Sequence, residues 1–520
     1  PSIGLLFPVT TRAQTFSDSG FTAEVVTTLP QFLPVGVTWA SDGRMFIWQR
    51  NGVIRIYKNG QLLPTPFLDI SANVNTFDDR GMLGLALHPN FAVNGYVYVI
   101  YVREDGGNPN DPSPKIERLS RFIANAQNPD VALPNSETIL MTISTDFHHH
   151  ENGTLRFGSD GRLFVGHGED ATADGANGNA FVAQNLNDPR GKILRITEDG
   201  NAPGDNPFDD GTNSIRSKVY SYGLRNPYRF TLHPVSGEPY LGDVGWNTWE
   251  EFDRGRGKNF GWPCYEGVNP QPEYQNAFPT QCAPLTSGVV TAPLISYPHP
   301  GTPGAAGAPF VGSTAIGGPF YTATLYPEVY RNTWFITDYA QGWIRRMIFD
   351  QNGDMTGTVP FATGLSGPVD LELGPDGMLY YVEIITGRVV RIRYNGPSAV
   401  ASVTPSSGYS PLTVNFSSTG SSSPNGTPLA YLWEFGDGQT SNAVNPSHTY
   451  VAATVQTFTA KLTVTTNTNQ SSSASIKVTV GSSPPTATIQ SPINGTGVLP
   501  GQTIVYQGSA NDPDNGTIPS

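Results

Sequence analysis

A phrase of turn, strand, turn and strand repeats along this chain and limits what it can fold into. Ser41-Asp42-Gly43-Arg44-Met45-Phe46 leads into an apolar run and then into Asn51-Gly52-Val53-Ile54-Arg55-Ile56. Ser159-Asp160-Gly161-Arg162-Leu163-Phe164 does the same before Gly191-Lys192-Ile193-Leu194-Arg195-Ile196, and Pro375-Asp376-Gly377-Met378-Leu379-Tyr380 before Gly387-Arg388-Val389-Val390-Arg391-Ile392. A weaker copy starts at Val235-Ser236-Gly237-Glu238. Gly in such a turn supplies a backbone conformation that other residues resist, and short strands on either side read as hairpins. Antiparallel hairpins repeated with irregular insertions predict the blades of a propeller, over residues 21–396. Composition agrees with an all-β, turn-rich chain, since 57 Gly and 45 Pro punctuate 520 residues rich in Tyr (22) and Phe (26).

Composition changes at Asn395-Gly396-Pro397-Ser398, after which Ser, Thr and Asn dominate. Pro411-Leu412-Thr413-Val414-Asn415-Phe416 and Lys461-Leu462-Thr463-Val464-Thr465 alternate apolar and polar residues, as strands of a sandwich do. Between them stand Trp433-Glu434-Phe435-Gly436-Asp437-Gly438 and Pro446-Ser447-His448-Thr449-Tyr450. Residues 398–481 therefore resemble the PKD domain, an immunoglobulin-like module of secreted proteins. That resemblance implies core positions for Trp433 and Phe435, a hairpin turn at Gly-Asp-Gly, and no catalytic role. Ser482-Ser483-Pro484-Pro485 reads as a linker, and 485–520 as the start of a further β-sandwich, too short to bury a core alone.

The balance of 30 basic to 43 acidic residues gives a formal charge of −13, which disfavours nucleic acid as a partner. No apolar run reaches the ~18 residues that suggest a membrane span. Residues 1–20 read as an N-terminal segment holding the remnant of a secretory signal peptide, cut near Ala13. In a secreted protein the two cysteines, Cys264 and Cys282, are expected to form one disulfide; two free buried thiols are the other reading.

Four stretches of the first domain carry chemistry. They are Asp78-Asp79-Arg80-Gly81 running to His88-Pro89; His148-His149-His150-Glu151-Asn152-Gly153-Thr154-Leu155; Tyr222-Gly223-Leu224-Arg225-Asn226-Pro227; and Gly242-Asp243-Val244-Gly245-Trp246, continued by Glu250-Glu251 and Asn259-Phe260-Gly261-Trp262-Pro263. In this order they closely resemble the soluble glucose/sorbosone dehydrogenase family. That resemblance implies six blades, pyrroloquinoline quinone (PQQ) and calcium as cofactors, and oxidation of the anomeric carbon of an aldose with electrons passed to an external acceptor.

It also implies roles. His150, three residues before Gly153, is the expected base, a role suited to a side chain whose ordinary pKa is ~6.5. Arg225 is expected beside the quinone, and Asn226, Gln184, Asp79 and Arg80 among the cofactor's contacts. The carbonyls of Gly245 and Trp246 are expected on the cofactor's calcium, and Glu251 with the carbonyl of Phe260 on a second calcium. From the residues alone, two other readings of the histidine run stay open. One is a metal site of His148 and His150 with His167 or Glu169. The other is a polar loop with one His packed by Asp146 or Glu151. An extended backbone would put His148 and His150 on one face and His149 on the other.

The chain departs from the family pattern where cations should hold the carboxylates of PQQ. Ala340, Gly367 and Val369 stand at those positions, and Arg80, Arg345 or Arg346 are the candidates to replace them. Two functions follow. One is a secreted PQQ- and calcium-dependent dehydrogenase of an aldose or a sugar end, with PKD-like modules attaching it to a matrix or cell surface. The other is a non-catalytic secreted propeller that binds glycan or protein. No nucleophile elbow supports a hydrolase.

Overall fold

The computed structural model describes residues 14–29, 33–151, 153–172, 174–302, 308–423, 426–481, 486–491, 507–512 and 516–518. The signal-peptide remnant expected at the N-terminus lies mostly outside the described residues. Two compact units are present, the larger containing residues 22–323 and 332–393.

The larger unit is six antiparallel sheets in chain order. Their first two strands are Pro34–Trp39 and Met45–Gln49, Met82–Leu87 and Tyr96–Arg103, Leu155–Phe157 and Leu163–His167, Arg229–Leu232 and Pro239–Asp243, Ala315–Phe320 and Trp334–Asp338, and Pro368–Leu373 and Leu379–Glu383. We call these sheets blades 1 to 6. The first strand of each blade is the inner one. That of blade 1 packs against those of blades 2 and 6, and that of blade 5 against those of blades 4 and 6. Between blades 3 and 4, Thr154 Oγ1 donates to the carbonyl of Tyr228 at 3.1 Å. Apolar clusters fill the spaces between blades, such as Phe46, Ile54, Leu85 and Val99 between blades 1 and 2. Phe21–Thr28 forms the outer strand of blade 6, and Thr15–Phe16 adds a fifth strand to blade 5.

The repeated phrase is the link between first and second strands. Gly43, Gly161, Gly237 and Gly377 have φ of 88°, 74°, 70° and 78°, in the left-handed region. The Asp before each of three of these glycines takes the backbone N–H two residues on: Asp42 from Arg44 at 3.1 Å, Asp160 from Arg162 at 3.0 Å, Asp376 from Met378 at 3.1 Å. These turns gather at the end of the blades where the inner strands finish. The loops that precede the inner strands, with the candidate site residues, gather at the opposite end.

Blades 4 and 5 come close because glycine on the second strand of one and on the inner strand of the other faces the neighbouring backbone. A Cβ on Gly242 would stand 2.7 Å from the carbonyl oxygen of Ala315, and one on Gly317 would stand 2.8 Å from that of Arg229.

The second unit holds the sandwich. One sheet contains Ser402–Thr404, Leu412–Ser417 and Ser447–Tyr450, and the other has Leu429–Glu434, Gln456–Thr466 and Ser471–Val480 at its centre. Trp433 and Phe435 are in its core with Phe416 and Tyr450. Gly436 and Gly438 take φ of 84° and 90°, the turn expected of Gly-Asp-Gly. Beyond it, Thr486–Ser491, Gln507–Asp512 and Gly516–Ile518 form a three-stranded sheet. Among the described residues no helix is long and apolar enough to cross a membrane.

Gly242→Val puts a branched side chain into the backbone of the next blade. It is expected to cost at least about 3 kcal/mol, read as a shift of the propeller's denaturation midpoint.

Candidate functional site

The loop before an inner strand is held by a carboxylate at or just past the end of the second strand of the same blade. In blade 4, Asp243 accepts the N–H of Arg225 at 2.9 Å and of Asn226 at 2.6 Å. In blade 5, Asp338 accepts those of Ser313 and Thr314, both at 2.9 Å. In blade 3, Asp170 accepts those of Asp146 at 2.6 Å and Phe147 at 3.1 Å. In blade 6, Glu383 accepts that of Ser366 at 2.9 Å. The first three are deeply buried, and burial pushes Asp243 and Asp170 up to about 7 and Asp338 up to about 6. Asp243 stands in the Gly242-Asp243-Val244-Gly245-Trp246 stretch, but nothing local in the sequence marks it as the acceptor that holds the Arg225 loop.

Fixed in this way, the loops of blades 3 and 4 meet. His150 is buried and left-handed, with φ of 54°. Its carbonyl occupies the space a side chain at residue 168 would need, 2.0 Å from a Cβ built on Gly168. Its Nδ1 lies 3.0 Å from Glu169 Oε1, and Glu169 donates its own N–H to the carbonyl of Arg225 at 2.8 Å. Burial, aided by the charge of Arg225, holds His150 well below its usual pKa. Burial also pushes Glu169 up to about 8, against the pull of Arg225. The Arg225 guanidinium lies 5.5 Å from the centre of the Trp262 ring. Its Nη1 donates to the carbonyls of Val244 at 3.0 Å and Gly245 at 2.6 Å. Asp79 borders this group, with the His150 N–H 3.5 Å from its Oδ2.

Other expected residues lie elsewhere or are engaged. The histidine run is not extended: His148 and His149 both turn to Asp78, at 2.9 and 3.2 Å, while His150 goes to Glu169. The packing partner is thus neither Asp146, which meets Arg190, nor Glu151, which meets Arg80. His167 is buried against Glu117 at 3.4 Å and takes no part in the run. Arg80 is fully buried, and its guanidinium is committed to Glu151 and to the carbonyls of Asp111, Ser113 and Phe147. It cannot also reach a ligand. Gln184 spends its amide on Asn259 and on the carbonyl of Trp262 at 2.7 Å, bracing the loop beneath Arg225. Arg345 lies over the Phe310 ring, and both Arg345 and Arg346 are on the third strand of blade 5 (Trp343–Phe349), away from the inner one. Val369 is buried in an apolar cluster and Gly367 is left-handed at 62°.

Among the described residues, two groups have the chemistry to take a metal. Glu251 stands with Asp243 and Asp253, and one ligand atom of each of the three carboxylates lies within 4.8 Å of the others. All three are buried, and Oε2 of Glu251 and both oxygens of Asp253 have no hydrogen-bond partner. Buried unpaired carboxylates are costly, and a hard divalent cation such as calcium satisfies them. The ring of Phe260 packs with Phe164, Tyr220 and Leu241. The other group is Asp78, His148 and His149.

A family model described as glucose/sorbosone dehydrogenase matches residues 32–391, and a PKD domain model matches 395–480. The chain belongs to the glucose/sorbosone dehydrogenase family. It is 27% identical over 360 residues to an uncharacterised Synechocystis protein, with 67% of this chain and 80% of that one covered. It is 29% identical over 237 residues to the aldose sugar dehydrogenase YliI of Escherichia coli, covering 43% of this chain and 57% of the enzyme. It is 30% identical over 229 residues to human Hedgehog-interacting protein, covering 41% of this chain but 32% of that protein. The PQQ-bound aldose sugar dehydrogenase of Streptomyces coelicolor shares its fold, with a TM-score of 0.54 at 19% identity over 72% of this chain and 98% of that one. The glucose/sorbosone dehydrogenase match spans all six inner strands and both loops of the His150–Glu169–Arg225 group.

Cys264 and Cys282 are joined, as expected. Their loop carries Tyr274, buried against Trp246 and Trp262, so it supports the ring beneath Arg225. Replacing both cysteines with Ser is expected to cost about 3 kcal/mol. Chemical denaturation followed by tryptophan fluorescence measures it.

Proposed function

We propose that the chain is a secreted PQQ- and calcium-dependent sugar dehydrogenase that takes a proton from the anomeric hydroxyl and a hydride from the anomeric carbon of an aldose or sugar end. The observation that carries this reading is the His150–Glu169–Arg225 group in a chain of this family. His150 is neutral at working pH, so it is ready to accept the hydroxyl proton at Nε2. Glu169, when ionised, accepts Nδ1–H and leaves Nε2 free; when protonated, it donates to Nδ1 and puts the ring in the wrong tautomer. Arg225, held by Asp243 through its backbone, aims a fixed cation at the place where negative charge would grow.

The residues fit the cofactor's reacting end in part. Asn226 offers a buried Oδ1 without a partner, Arg225 a planar cation and Trp246 a carbonyl for the calcium, whereas the Gly245 carbonyl accepts from Arg225 at 2.6 Å and would have to exchange that bond for the ion. When bound, the quinone would supply the hydride acceptor. A second calcium belongs with Glu251, Asp243 and Asp253.

The second reading is a propeller that binds glycan or protein without catalysis. It is favoured by the engaged Arg80 and by Ala340, Gly367 and Val369, which leave the cofactor's carboxylates few cations. In either case the PKD domain would attach the propeller to a matrix or cell surface.

The test is reconstitution of the full chain with PQQ and calcium, with aldoses and oligosaccharides as substrates and a dye as electron acceptor. Turnover that needs all three and is lost in His150→Ala supports the enzyme; no turnover and no PQQ binding supports the binder. The rate is expected to rise with pH until Glu169 ionises at about 8. Below that, kcat/KM should fall about tenfold per pH unit. Glu169→Gln fixes the wrong tautomer, so a loss of about 10²–10⁴ and a flattened pH profile are expected. Calcium removal is expected to lower the melting temperature, and Glu251→Gln to blunt that effect.

A further inference from the structure

The loops before blades 2 and 3 bring together ligand atoms that the sugar chemistry does not use, and this inference stands whether or not the dehydrogenase reading does. We propose that Asp78, His148 and His149 form a binding site for zinc or a similar transition metal, built from two imidazole nitrogens and one carboxylate oxygen. Asp78 Oδ2 is 2.9 Å from His148 Nδ1 and 3.2 Å from His149 Nδ1, and one ligand atom of each of the three residues lies within 4.8 Å of the other two. With zinc bonds of ~2.0–2.1 Å, the ligand atoms of a tetrahedral site stand about 3.3 Å apart. The two separations from Asp78 are within a few tenths of an ångström of that value, and the two imidazoles, no more than 4.8 Å apart at their ligand atoms, close on the ion by rotation of their rings.

The arrangement is held from outside. The His148 ring meets Phe77 edge-on at 4.8 Å and lies 4.2 Å from that of His149. The carbonyl of His148 accepts the N–H of Asp79 at 3.3 Å, tying the two loops together. The carbonyl of Asp78 accepts from the Arg50 guanidinium. Asp78 is left-handed, with φ of 49°, a conformation Asp tolerates better than most residues. All three side chains are partly accessible, at 13% for Asp78, 30% for His148 and 21% for His149, so an ion can enter.

The donor set selects the ion. Imidazole nitrogens with one carboxylate suit zinc, cobalt or copper, whereas calcium wants oxygens alone. Three protein ligands leave a fourth position for water or another oxygen ligand. Elsewhere among the described residues, His88, His167, His299 and His448 each meet a carboxylate of their own. Here two imidazoles share one.

The test titrates the full, calcium-loaded chain with cobalt(II) and with zinc, each alone, by visible absorption and calorimetry. Both cysteines are in the disulfide, so the cobalt spectrum should show nitrogen and oxygen ligands at low coordination and no thiolate band. Expected is one zinc per chain that displaces cobalt and resists excess calcium. Asp78→Asn, His148→Ala and His149→Ala should each weaken it by more than the about 10–100-fold that loss of a mere supporting partner costs. His150→Ala, whose ring goes to Glu169, should bind zinc as the parent does. The site is overturned by a weak six-coordinate cobalt spectrum, by zinc binding unchanged in Asp78→Asn and His149→Ala, or by equal loss in His150→Ala, which would indicate a generic histidine tract. Melting curves without metal separate a lost ligand from a lost fold, and the parent's cobalt spectrum decides where a variant does not fold.

Discussion

A buried carboxylate that accepts backbone N–H groups is the interaction on which this propeller's working end depends. Strand pairing fixes each blade, but it stops where the second strand stops. Past that point the chain must be held by something other than a ladder. Asp170, Asp243, Asp338 and Glu383 provide it, each reaching the loop that leads into its own inner strand. The cost is several desolvated acids, and the raised pKa values of the three Asp residues record it. What is gained is position: Arg225 and Asn226 are pinned through their main chain, so their side chains are not needed to hold the loop.

The same economy explains why so few cations remain for a ligand. The interior holds many charges, and most are matched in place. Arg80 meets Glu151, and Arg229 meets Asp370 at 3.3 Å near the propeller's axis. A guanidinium buried in this way is part of the scaffold, because removing its partner would leave an uncompensated charge. Arg225 differs from Arg80 in that its recorded acceptors are main-chain carbonyls at the edge of the site, not a carboxylate.

Much of this was legible in the residues. The Asp-Gly turns announced the blades because their chemistry is local: a left-handed glycine and an Asp two residues from the N–H it accepts. Trp433 and Phe435 marked the sandwich core for a similar reason. His150 and Arg225 were found through motif order, and Glu169 links them, its carboxylate at the His150 ring and its N–H on the Arg225 carbonyl. What the sequence concealed is pairing across blades. Glu169 is 19 residues from His150, in a stretch read only as a spare metal ligand. Arg80 looked like a free cation because Glu151, its partner, lies on another blade. An extended histidine run would have set His149 apart from its neighbours, but His149 shares Asp78 with His148 and the left-handed His150 turns to Glu169. A period of two cannot be assumed where a residue has positive φ.

The closure of the ring has a consequence for how the protein is made. The outer strand of blade 6 is Phe21–Thr28, and Glu24 on it pairs with Arg391, 367 residues later. Gln14 and Tyr381 are bonded across the same interval. During synthesis this first strand emerges with its backbone groups unpaired and waits until nearly the whole propeller has followed it. Blades 1 to 4 can assemble in order as they appear, but the last two stay incomplete until both ends are present. The nascent chain thus carries an open edge through most of its translation, and the step that seals it is the one with the longest loop to close. Keeping that edge unpaired until its partner arrives is a demand written into the topology.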